Sequence, residues 1–233
     1  MENQIDLILH CATDYGRKNV SPLQVIEANL ILPIKLLELG KNYGVECFIN
    51  TDTILDKRIN YYSLSKKQFK DWLFVYKNDL TCINVALEHF YRPFDDKTKF
   101  VSYVTDSLIN QVEKIDLTKG EQKRDFIFID DVVSAFLKII DYSNGLEKEF
   151  FEFEIGSDKM VAIKELVLTI KEIIGNTKTV LNFGALPYRE NEVMEGLADV
   201  TEIKKLGWSA RYSLYDGLKK MIDQELANYN KKI

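Results

Sequence analysis

Three residues of the 233-residue chain combine side-chain types and a spacing that suit acid–base chemistry on a substrate oxygen. Tyr62 and Lys66 are four residues apart at the predicted start of a helix, so both side chains project from one face. A phenol has a pKa of about 10, and an ammonium group beside it lowers that pKa toward the range of general acid–base catalysis. Thr51 follows a predicted strand, where its hydroxyl can hydrogen-bond the same oxygen. The three residues therefore predict proton transfer to or from a substrate oxygen.

The elements that must position these residues alternate between strands and helices. Apolar runs at residues 5–12, 45–49 and 81–86 are typical of strands buried on both faces. Between them, apolar residues at helical spacing predict helices over residues 22–39 and 62–76. Strands that alternate with helices of this length predict an α/β fold with a doubly wound parallel sheet. Such sheets bind ligands at the carboxyl ends of their strands, which is where the threonine named above lies.

The second half of the chain keeps this alternation in shorter elements. The sequence predicts three more strands and three more helices, namely strands over residues 126–129, 151–155 and 180–183 and helices over residues 130–142, 162–174 and 213–228. No internal repeat and no low-complexity linker separates the two halves. The sequence therefore predicts one folded body with a smaller C-terminal lobe.

The composition excludes several classes of protein. A net charge of -5 argues against nucleic acid or an anionic membrane as the main partner. No apolar run reaches the roughly 20 residues of a membrane span, and the polar N-terminus is unlike a signal peptide. The two histidines and three cysteines lack the spacing of zinc ligands, so no metal is expected. Cys11, Cys47 and Cys82 lie in apolar stretches, which predicts reduced core thiols in a cytoplasmic protein.

Several stretches carry a family pattern in the same order along the chain. Residues 120–132 read Gly-Glu-Gln-Lys-Arg-Asp-Phe-Ile-Phe-Ile-Asp-Asp-Val, and further matches occur at residues 10–16, Asn29, 87–93 and 188–208. With the strand, short loop and Tyr-x-x-x-Lys helix described above, they resemble the extended branch of the short-chain dehydrogenase/reductase superfamily, the NAD-dependent epimerase/dehydratase family. Within this branch the chain most resembles CDP-abequose and CDP-paratose synthases, which reduce the 4-keto group of a CDP-3,6-dideoxyhexose intermediate with NADPH.

The resemblance implies a nucleotide-sugar substrate, NADP (or NAD) as the cofactor and a role for each matching residue. Tyr62 would give a proton to the C4 oxygen, Lys66 would lower the pKa of Tyr62 and hold the nicotinamide ribose, and Thr51 would orient the carbonyl. Lys67 is expected to point into water. The resemblance also implies cofactor contacts from Ala12 and Thr13 and substrate contacts from Asp52, His89, Lys99, Phe100, Arg124 and Arg189.

The chain departs from the family pattern at one conspicuous feature. No G-x-G-x-x-G or G-x-x-G-x-x-G sequence occurs, although such a turn normally binds the dinucleotide phosphates. We therefore expect an N-terminally truncated, Rossmann-like sheet that lacks its first half. Residues 1–145 would form a partial NAD(P)-binding domain, with the chain passing between lobes after about residue 86, and residues 146–233 would mainly form a nucleotide-sugar-binding lobe.

A sheet without its first half has an unpaired edge at residues 6–11, and such edges recruit other strands. The expected partner is a second copy of the chain or a complementary N-terminal Rossmann half. Two alternatives to the reductase stay open. One is a nucleotide-sugar 4-epimerase, which uses the same three residues with bound NAD, and the other is a non-catalytic truncated remnant or half of a split enzyme.

Overall fold

The structure is a computed structural model that describes residues 4–17, 20–190 and 192–231. The chain divides into two units, each assembled from three separate segments. The first unit comprises Met1–Leu87, Ala135–Ile155 and Val200–Trp208, and the second comprises Glu88–Ser134, Gly156–Asp199 and Ser209–Ile233. The expected functional division at residue 145 into a cofactor domain and a substrate lobe stays a prediction.

The first unit contains a sheet of four parallel strands. In spatial order these are β1 (Leu7–His10), β2 (Cys47–Thr53), β3 (Thr81–Leu87) and β7 (Phe150–Ile155). β2 and β3 are buried along nearly their whole length, as their apolar runs predict. β1 pairs with β2 on one side, and no strand of the described residues pairs with its other side. The predicted α/β class with a parallel sheet is confirmed.

One long helical segment follows β1, and it contains a π turn. It consists of α1 (Pro22–Ile26), a π-helical segment (Glu27–Ile31) and α2 (Leu32–Asn42), where the sequence predicts one α-helix ending near residue 39. Ser21 caps α1 because its hydroxyl accepts a hydrogen bond from the backbone N–H of Gln24. This unit also contains α3 (Tyr61–Tyr76), α7 (Thr201–Lys205) and the greater part of α5 (Ile129–Ser143).

The second unit combines short strands with three longer helices. Its strands are β4 (His89–Tyr91), β5 (Lys114–Leu117), β6 (Lys123–Phe128), β8 (Met160–Ala162), β9 (Val180–Phe183) and β10 (Glu195–Gly196). β6 lies between β4 and β10 and pairs with both in parallel, whereas β5 pairs with β9. The helices are α4 (Phe100–Ile109), α6 (Ile163–Ile174) and α8 (Leu214–Asn230), and α5 (Ile129–Ser143) begins in this unit.

The structure adds elements that the sequence did not predict. β2 runs to Thr53 although the apolar run ends at Ile49, because polar side chains continue the strand in a buried position. β4, β5, β8, β10 and α7 are too short for a periodic pattern, and α4 begins without a side-chain cap. No helix within the described part of the chain is long and apolar enough to cross a membrane.

Candidate active site

A capping box at the start of α3 sets the positions of Tyr62 and Lys66. The Asn60 side chain accepts a hydrogen bond from the Ser63 backbone N–H at 2.8 Å, and the Ser63 hydroxyl accepts one from the Asn60 N–H at 3.3 Å. The helix therefore begins at Tyr61, which places Tyr62 in its first turn and Lys66 one turn later. The two side chains lie on one face of α3, as their spacing predicts.

Lys66 is buried with an ammonium group that no protein atom satisfies. Its side chain is 1% exposed, and its Nζ has no hydrogen-bond partner among the described residues. Burial lowers its pKa to about 8, although Asp52 and Cys11 oppose this shift. A buried ammonium without a partner lowers stability, so the arrangement suits a ligand that brings its own acceptors.

Tyr62 is half-buried, and its pKa is raised rather than lowered. Burial is the main cause, the charges of Tyr15 and Asp52 add to it, and a hydrogen bond from Thr53 opposes it. The rings of Tyr15 and Tyr62 lie 5.0 Å apart. Lys66 is not among the groups that act on the pKa of Tyr62, so the expected lowering is not found in this structure. The phenol is therefore protonated at neutral pH.

The three residues at the carboxyl end of β2 serve different partners. The Thr51 hydroxyl donates to the His10 carbonyl at 3.2 Å, and it is the Thr53 hydroxyl that hydrogen-bonds Tyr62. The sequence pattern did not single out Thr53, although Thr53 lies two residues after Thr51 and therefore on the same face of the strand. The role of Thr51 in orienting a substrate carbonyl stays a prediction.

Asp52 is enclosed by protein donors. Its side chain is fully buried, and Oδ2 accepts hydrogen bonds from Lys67 Nζ at 3.1 Å and from Asn84 Nδ2 at 3.0 Å. Oδ1 accepts the Thr53 backbone N–H at 2.7 Å. The prediction that Lys67 points into water is therefore wrong, because Asp52 and the Thr53 carbonyl hold its ammonium. The predicted contact of Asp52 with substrate stays a prediction.

Asn29 joins the loop after β1 to α3. Its Oδ1 accepts hydrogen bonds from the Thr13 hydroxyl at 3.2 Å and the Asp14 backbone N–H at 2.7 Å. Its Nδ2 donates to the Asp14 carbonyl at 2.8 Å and the Ser65 hydroxyl at 3.1 Å. The residue is fully buried within the π turn, so that turn positions the amide. Cofactor contacts for Thr13, and for the exposed Ala12, stay predictions.

The three thiols are free, and two of them lie in the core as predicted. Burial raises the pKa of Cys47 to about 11 and that of Cys82 to about 12. Cys11 is exposed, so the prediction of a core thiol is wrong there. It follows the last residue of β1, where the chain leaves the sheet. No group of three or more His, Cys, Asp or Glu side chains that could hold a metal ion occurs in the described ranges.

In the second unit, His89 and Arg124 lie on neighbouring strands. The His89 side chain is partly exposed, and its Nδ1 is hydrogen-bonded to the buried Glu88 carboxylate. Arg124 donates to Glu192 at 2.7 Å in a largely buried ion pair. A Cβ atom at Gly196 would lie 3.3 Å from Glu88 and 3.7 Å from Arg124, so both side chains border this glycine.

The other predicted substrate residues of this unit are less closely grouped. Lys99 pairs with Asp95 at 2.9 Å and lies 4.4 Å from the ring centre of Phe90. Phe100 is exposed at the start of α4, and Arg189 is exposed in the loop before β10. The substrate contacts of these three residues, like those of His89 and Arg124, stay predictions.

Two aspartates of the 120–132 stretch have structural roles. Asp125 is fully buried, and its carboxylate accepts hydrogen bonds from the Ser157 backbone at 2.7 Å, the Ser157 hydroxyl at 2.6 Å and the Asp158 backbone at 3.3 Å. Asp131 accepts the backbone N–H groups of Arg211 and Tyr212, each at 3.0 Å. These carboxylates fasten loops onto β6 and α5, so a motif that identifies a family need not consist of reactive residues.

Comparison with known proteins gives one family match and several relatives. Residues 1–156 match the family described as the NAD dependent epimerase/dehydratase family. A CDP-abequose synthase from Salmonella muenchen is 36% identical over 230 residues, which cover 95% of this chain and 77% of that protein. A CDP-abequose synthase from Salmonella typhimurium is 33% identical over 224 residues, covering 92% of this chain and 75% of the relative.

Solved structures share the fold at lower identity. The UDP-glucose 4-epimerase of Thermotoga maritima, crystallised with UDP-glucose, superposes with a TM-score of 0.82 and 24% sequence identity. The match covers 97% of this chain and 78% of the epimerase. It therefore supports the predicted Rossmann-like architecture.

Proposed function

Because the chain belongs to the NAD-dependent epimerase/dehydratase family, we propose that it is a nucleotide-sugar reductase of the extended short-chain dehydrogenase/reductase type. The proposed substrate is a CDP-4-keto-3,6-dideoxyhexose, and the proposed cofactor is NADP(H), with NAD as the variant. The similarity to two CDP-abequose synthases along more than nine-tenths of the chain supports this substrate class.

The observation that carries the proposal is the buried, unpartnered ammonium of Lys66 beside Tyr62. Ribose hydroxyls supply the acceptors that Lys66 Nζ lacks, so the residues present fit a nicotinamide cofactor. Tyr62 and Lys66 would hold the nicotinamide ribose, with Ala12 and Thr13 along the same cofactor. NADPH supplies the hydride for C4 of the sugar when it is bound.

The protein residues supply the proton and the orientation. The Tyr62 hydroxyl donates its proton to the C4 oxygen as negative charge develops there, and Thr51 hydrogen-bonds that oxygen and orients the carbonyl. Thr53 holds the phenol through the hydrogen bond described above.

Sequence identity favours a reductase over a 4-epimerase. Two CDP-abequose synthases are 33% and 36% identical to this chain, whereas the UDP-glucose 4-epimerase of known structure is 24% identical. A ketone reductase needs a protonated phenol when the substrate arrives, whereas an epimerase first needs a base that removes the proton of the sugar 4-hydroxyl. The reductase is therefore the primary proposal, and an assay for interconversion of UDP-glucose and UDP-galactose tests the alternative.

The direct test is turnover. The chain is incubated with a CDP-4-keto-3,6-dideoxyhexose and NADPH deuterated at the transferred position, and the product is analysed by NMR. We expect deuterium at C4 of a CDP-3,6-dideoxyhexose and loss of NADPH absorbance in equal amount. Absence of product, with the chain folded and with any candidate partner chain present, would support the alternative of a non-catalytic remnant.

We propose that the second unit binds the nucleotide diphosphate through Arg124, Arg189, His89, Lys99 and Phe100. Guanidinium groups suit this contact because they donate two parallel hydrogen bonds to phosphate. Arg124 would exchange its bond with Glu192 for the phosphate. Ligand binding tests this assignment most directly.

Calorimetric titration is expected to show that CDP binds and that NADPH alone binds weakly, because the chain has no glycine-rich phosphate turn. Replacing Arg124 with Gln is expected to weaken CDP binding about tenfold, the effect of one charge-assisted hydrogen bond. Lys123→Gln is the matched control, since Lys123 pairs with Glu195 in an exposed position. Equal effects of the two substitutions would contradict the assignment of Arg124 to the diphosphate. Tight binding of NADPH alone would contradict the expected weak binding of the cofactor.

We propose that β1 associates with another chain, either a second copy or a complementary Rossmann half. Its outer edge lacks a strand among the described residues, and Leu9 is 40% exposed. Unpaired edges with apolar side chains recruit strands. We also propose a cytoplasmic location, which suits the three free thiols.

Light scattering tests whether the unpaired edge of β1 associates with another chain. The wild-type chain is expected to be oligomeric or aggregation-prone, and Leu9→Lys is expected to shift it toward the monomer because a charge on an edge strand opposes pairing. Leu39→Lys, on the exposed side of α2, is the control for adding a charge elsewhere. A monomeric wild type with cooperative unfolding would contradict the proposal.

A further inference from the structure

A row of polar side chains crosses the sheet of the first unit at one register level. His10, Asn50, Asn84 and Glu152 are aligned on β1, β2, β3 and β7, so their side chains project from the same face. His10 is 3% exposed, and both asparagines are fully buried. Buried polar side chains add little to the stability of the fold even when they are hydrogen-bonded, because burying them removes their hydration. Apolar residues fill such positions without this desolvation cost. The row therefore calls for a role beyond packing.

The hydrogen bonds of the row have a fixed direction. Asp52 accepts from Asn84 Nδ2 at 3.0 Å, and a carboxylate can only accept. Asn84 must then present Oδ1 to Asn50, which donates through Nδ2 at 2.9 Å. Asn50 in turn presents Oδ1 to His10 Nδ1 at 3.2 Å, so Nδ1 carries the proton. The 3.5 Å contact between Asn84 Nδ2 and Glu152 agrees with this direction.

At the His10 end of the row, the last atom is a hydrogen-bond acceptor without a donor among the described residues. A neutral imidazole protonated at Nδ1 has a lone pair at Nε2, and His10 Nε2 is buried without a partner among the described residues. Lys66 Nζ is the complementary case in the same unit, a buried donor without an acceptor. The Lys66 charge acts on the pKa of His10, so the two groups are within electrostatic range.

We propose that this row positions the Lys66 ammonium. It holds His10 as the neutral Nδ1–H tautomer, so that the Nε2 lone pair accepts a hydrogen bond from one bridging hydroxyl, which in turn accepts a hydrogen bond from Lys66. His10, Asn50 and Asn84 are thus positioning residues for Lys66. The assignment of Lys66 to the cofactor rests on the proposed function, but the hydrogen-bonded arrangement does not.

The charges around His10 and Lys66 determine in which direction the loss of the His10 lone pair shifts the pKa of Lys66. Asp52 and Cys11 raise the pKa of Lys66, whereas burial and Lys67 lower it. Burial and Lys66 lower the pKa of His10, and the hydrogen bond that His10 donates to Asn50 opposes this, so His10 is neutral at pH 7. A lone pair directed at an ammonium stabilises its charge. Loss of that lone pair therefore lowers the pKa of Lys66 further.

Nitrogen NMR reads the tautomer without any need for turnover. The chain has two histidines, so protein labelled with ¹⁵N-histidine gives two sets of ring signals, and His89→Gln assigns them. We expect His10 to be protonated at Nδ1 and unprotonated at Nε2 at neutral pH. Asn50→Leu removes the acceptor of the Nδ1 proton and is expected to populate the Nε2–H tautomer. An Nε2–H tautomer in the wild type would overturn the proposal, with no substitution in the row required.

Two substitutions of His10 distinguish the contribution of Nδ1 from that of Nε2. Asn places an amide nitrogen near the position of Nδ1 and keeps the donor to Asn50, whereas Gln places an oxygen near the position of Nε2 and keeps the acceptor for Lys66. The titration of Lys66 Nζ is followed in ¹⁵N-lysine-labelled protein, with Lys66→Met assigning the signal. We expect His10→Asn to lower the midpoint by about one pH unit and His10→Gln to leave it near the wild-type value.

Equal midpoints in His10→Asn, His10→Gln and the wild type would overturn the proposal. In the active enzyme, the alkaline limb of the pH profile of kcat/KM is expected to move with the Lys66 midpoint. The NMR measurements stay decisive if the proposed reaction is not observed, so failure of the function and failure of this inference are distinguishable.

Discussion

Replacing Tyr62 with Phe is expected to lower kcat/KM for reduction of the 4-keto sugar by about 10³-fold, because the variant lacks the proton donor for the C4 oxygen. The loss is expected mainly in kcat, since the phenol ring still fills its place against Tyr15. Stability is expected to change little, because the phenol gives up one hydrogen bond, from Thr53. The measurement is steady-state kinetics with a CDP-4-keto-3,6-dideoxyhexose and NADPH.

The neighbouring tyrosine provides the control for this prediction. Tyr61→Phe removes the same hydroxyl from the same turn of α3, but Tyr61 is 59% exposed. We expect this variant to keep wild-type kinetics. Similar losses in both variants would mean that the hydroxyl of Tyr62 has no special role, and the catalytic assignment of the Tyr-x-x-x-Lys pair would fail with it.

Gly156→Ala is expected to destabilise the second unit by about 3 kcal/mol, the range for overpacking combined with damage to a buried hydrogen-bonded carboxylate. A Cβ atom at this glycine would overlap Oδ2 of Asp125 and lie 2.6 Å from Cβ of Ala198. Asp125 cannot move aside without breaking its bonds to Ser157 and Asp158. The reason for glycine here is the close approach of the carboxylate.

Urea unfolding measures this effect, and Gly196→Ala is the matched control. A Cβ atom at Gly196 would meet its nearest neighbour, Glu88 Oε1, at 3.3 Å, which a small shift relieves. We therefore expect a loss of less than about 1 kcal/mol for Gly196→Ala. An equal loss in the two variants would show that Asp125 and Ala198 yield more easily than their packing indicates.

The placement of Tyr62 and Lys66 on one face of a helix was predictable because its determinants are local. Spacing alone places Tyr62 and Lys66 on one face of the helix. The capping box that starts the helix lies within three residues of Tyr62. The buried strands were equally visible, since β2 and β3 are apolar runs. Signals of this kind depend on neighbours in sequence, and the structure follows them closely.

The polar row was not predictable, because it depends on strand register. His10, Asn50 and Asn84 lie 34 or more residues apart and are adjacent only when three strands align. The same limit explains the prediction about Lys67. Its position next to Lys66 suggested a solvated side chain, whereas β2 brings a buried carboxylate to it from fifteen residues away. Partners of this kind are fixed by the tertiary fold.

The π turn between α1 and α2 has a consequence for how this stretch is aligned with other chains. The fully buried Val25 and Leu37 are twelve residues apart, a separation that puts them about 120° apart on an ideal α-helix. A π turn holds about one more residue than an α turn, which restores both to nearly the same direction. A homologous helix without that turn therefore needs a one-residue gap within Glu27–Ile31. Without the gap, every core position before Asn29 or every one after it is paired with a neighbour about 100° away.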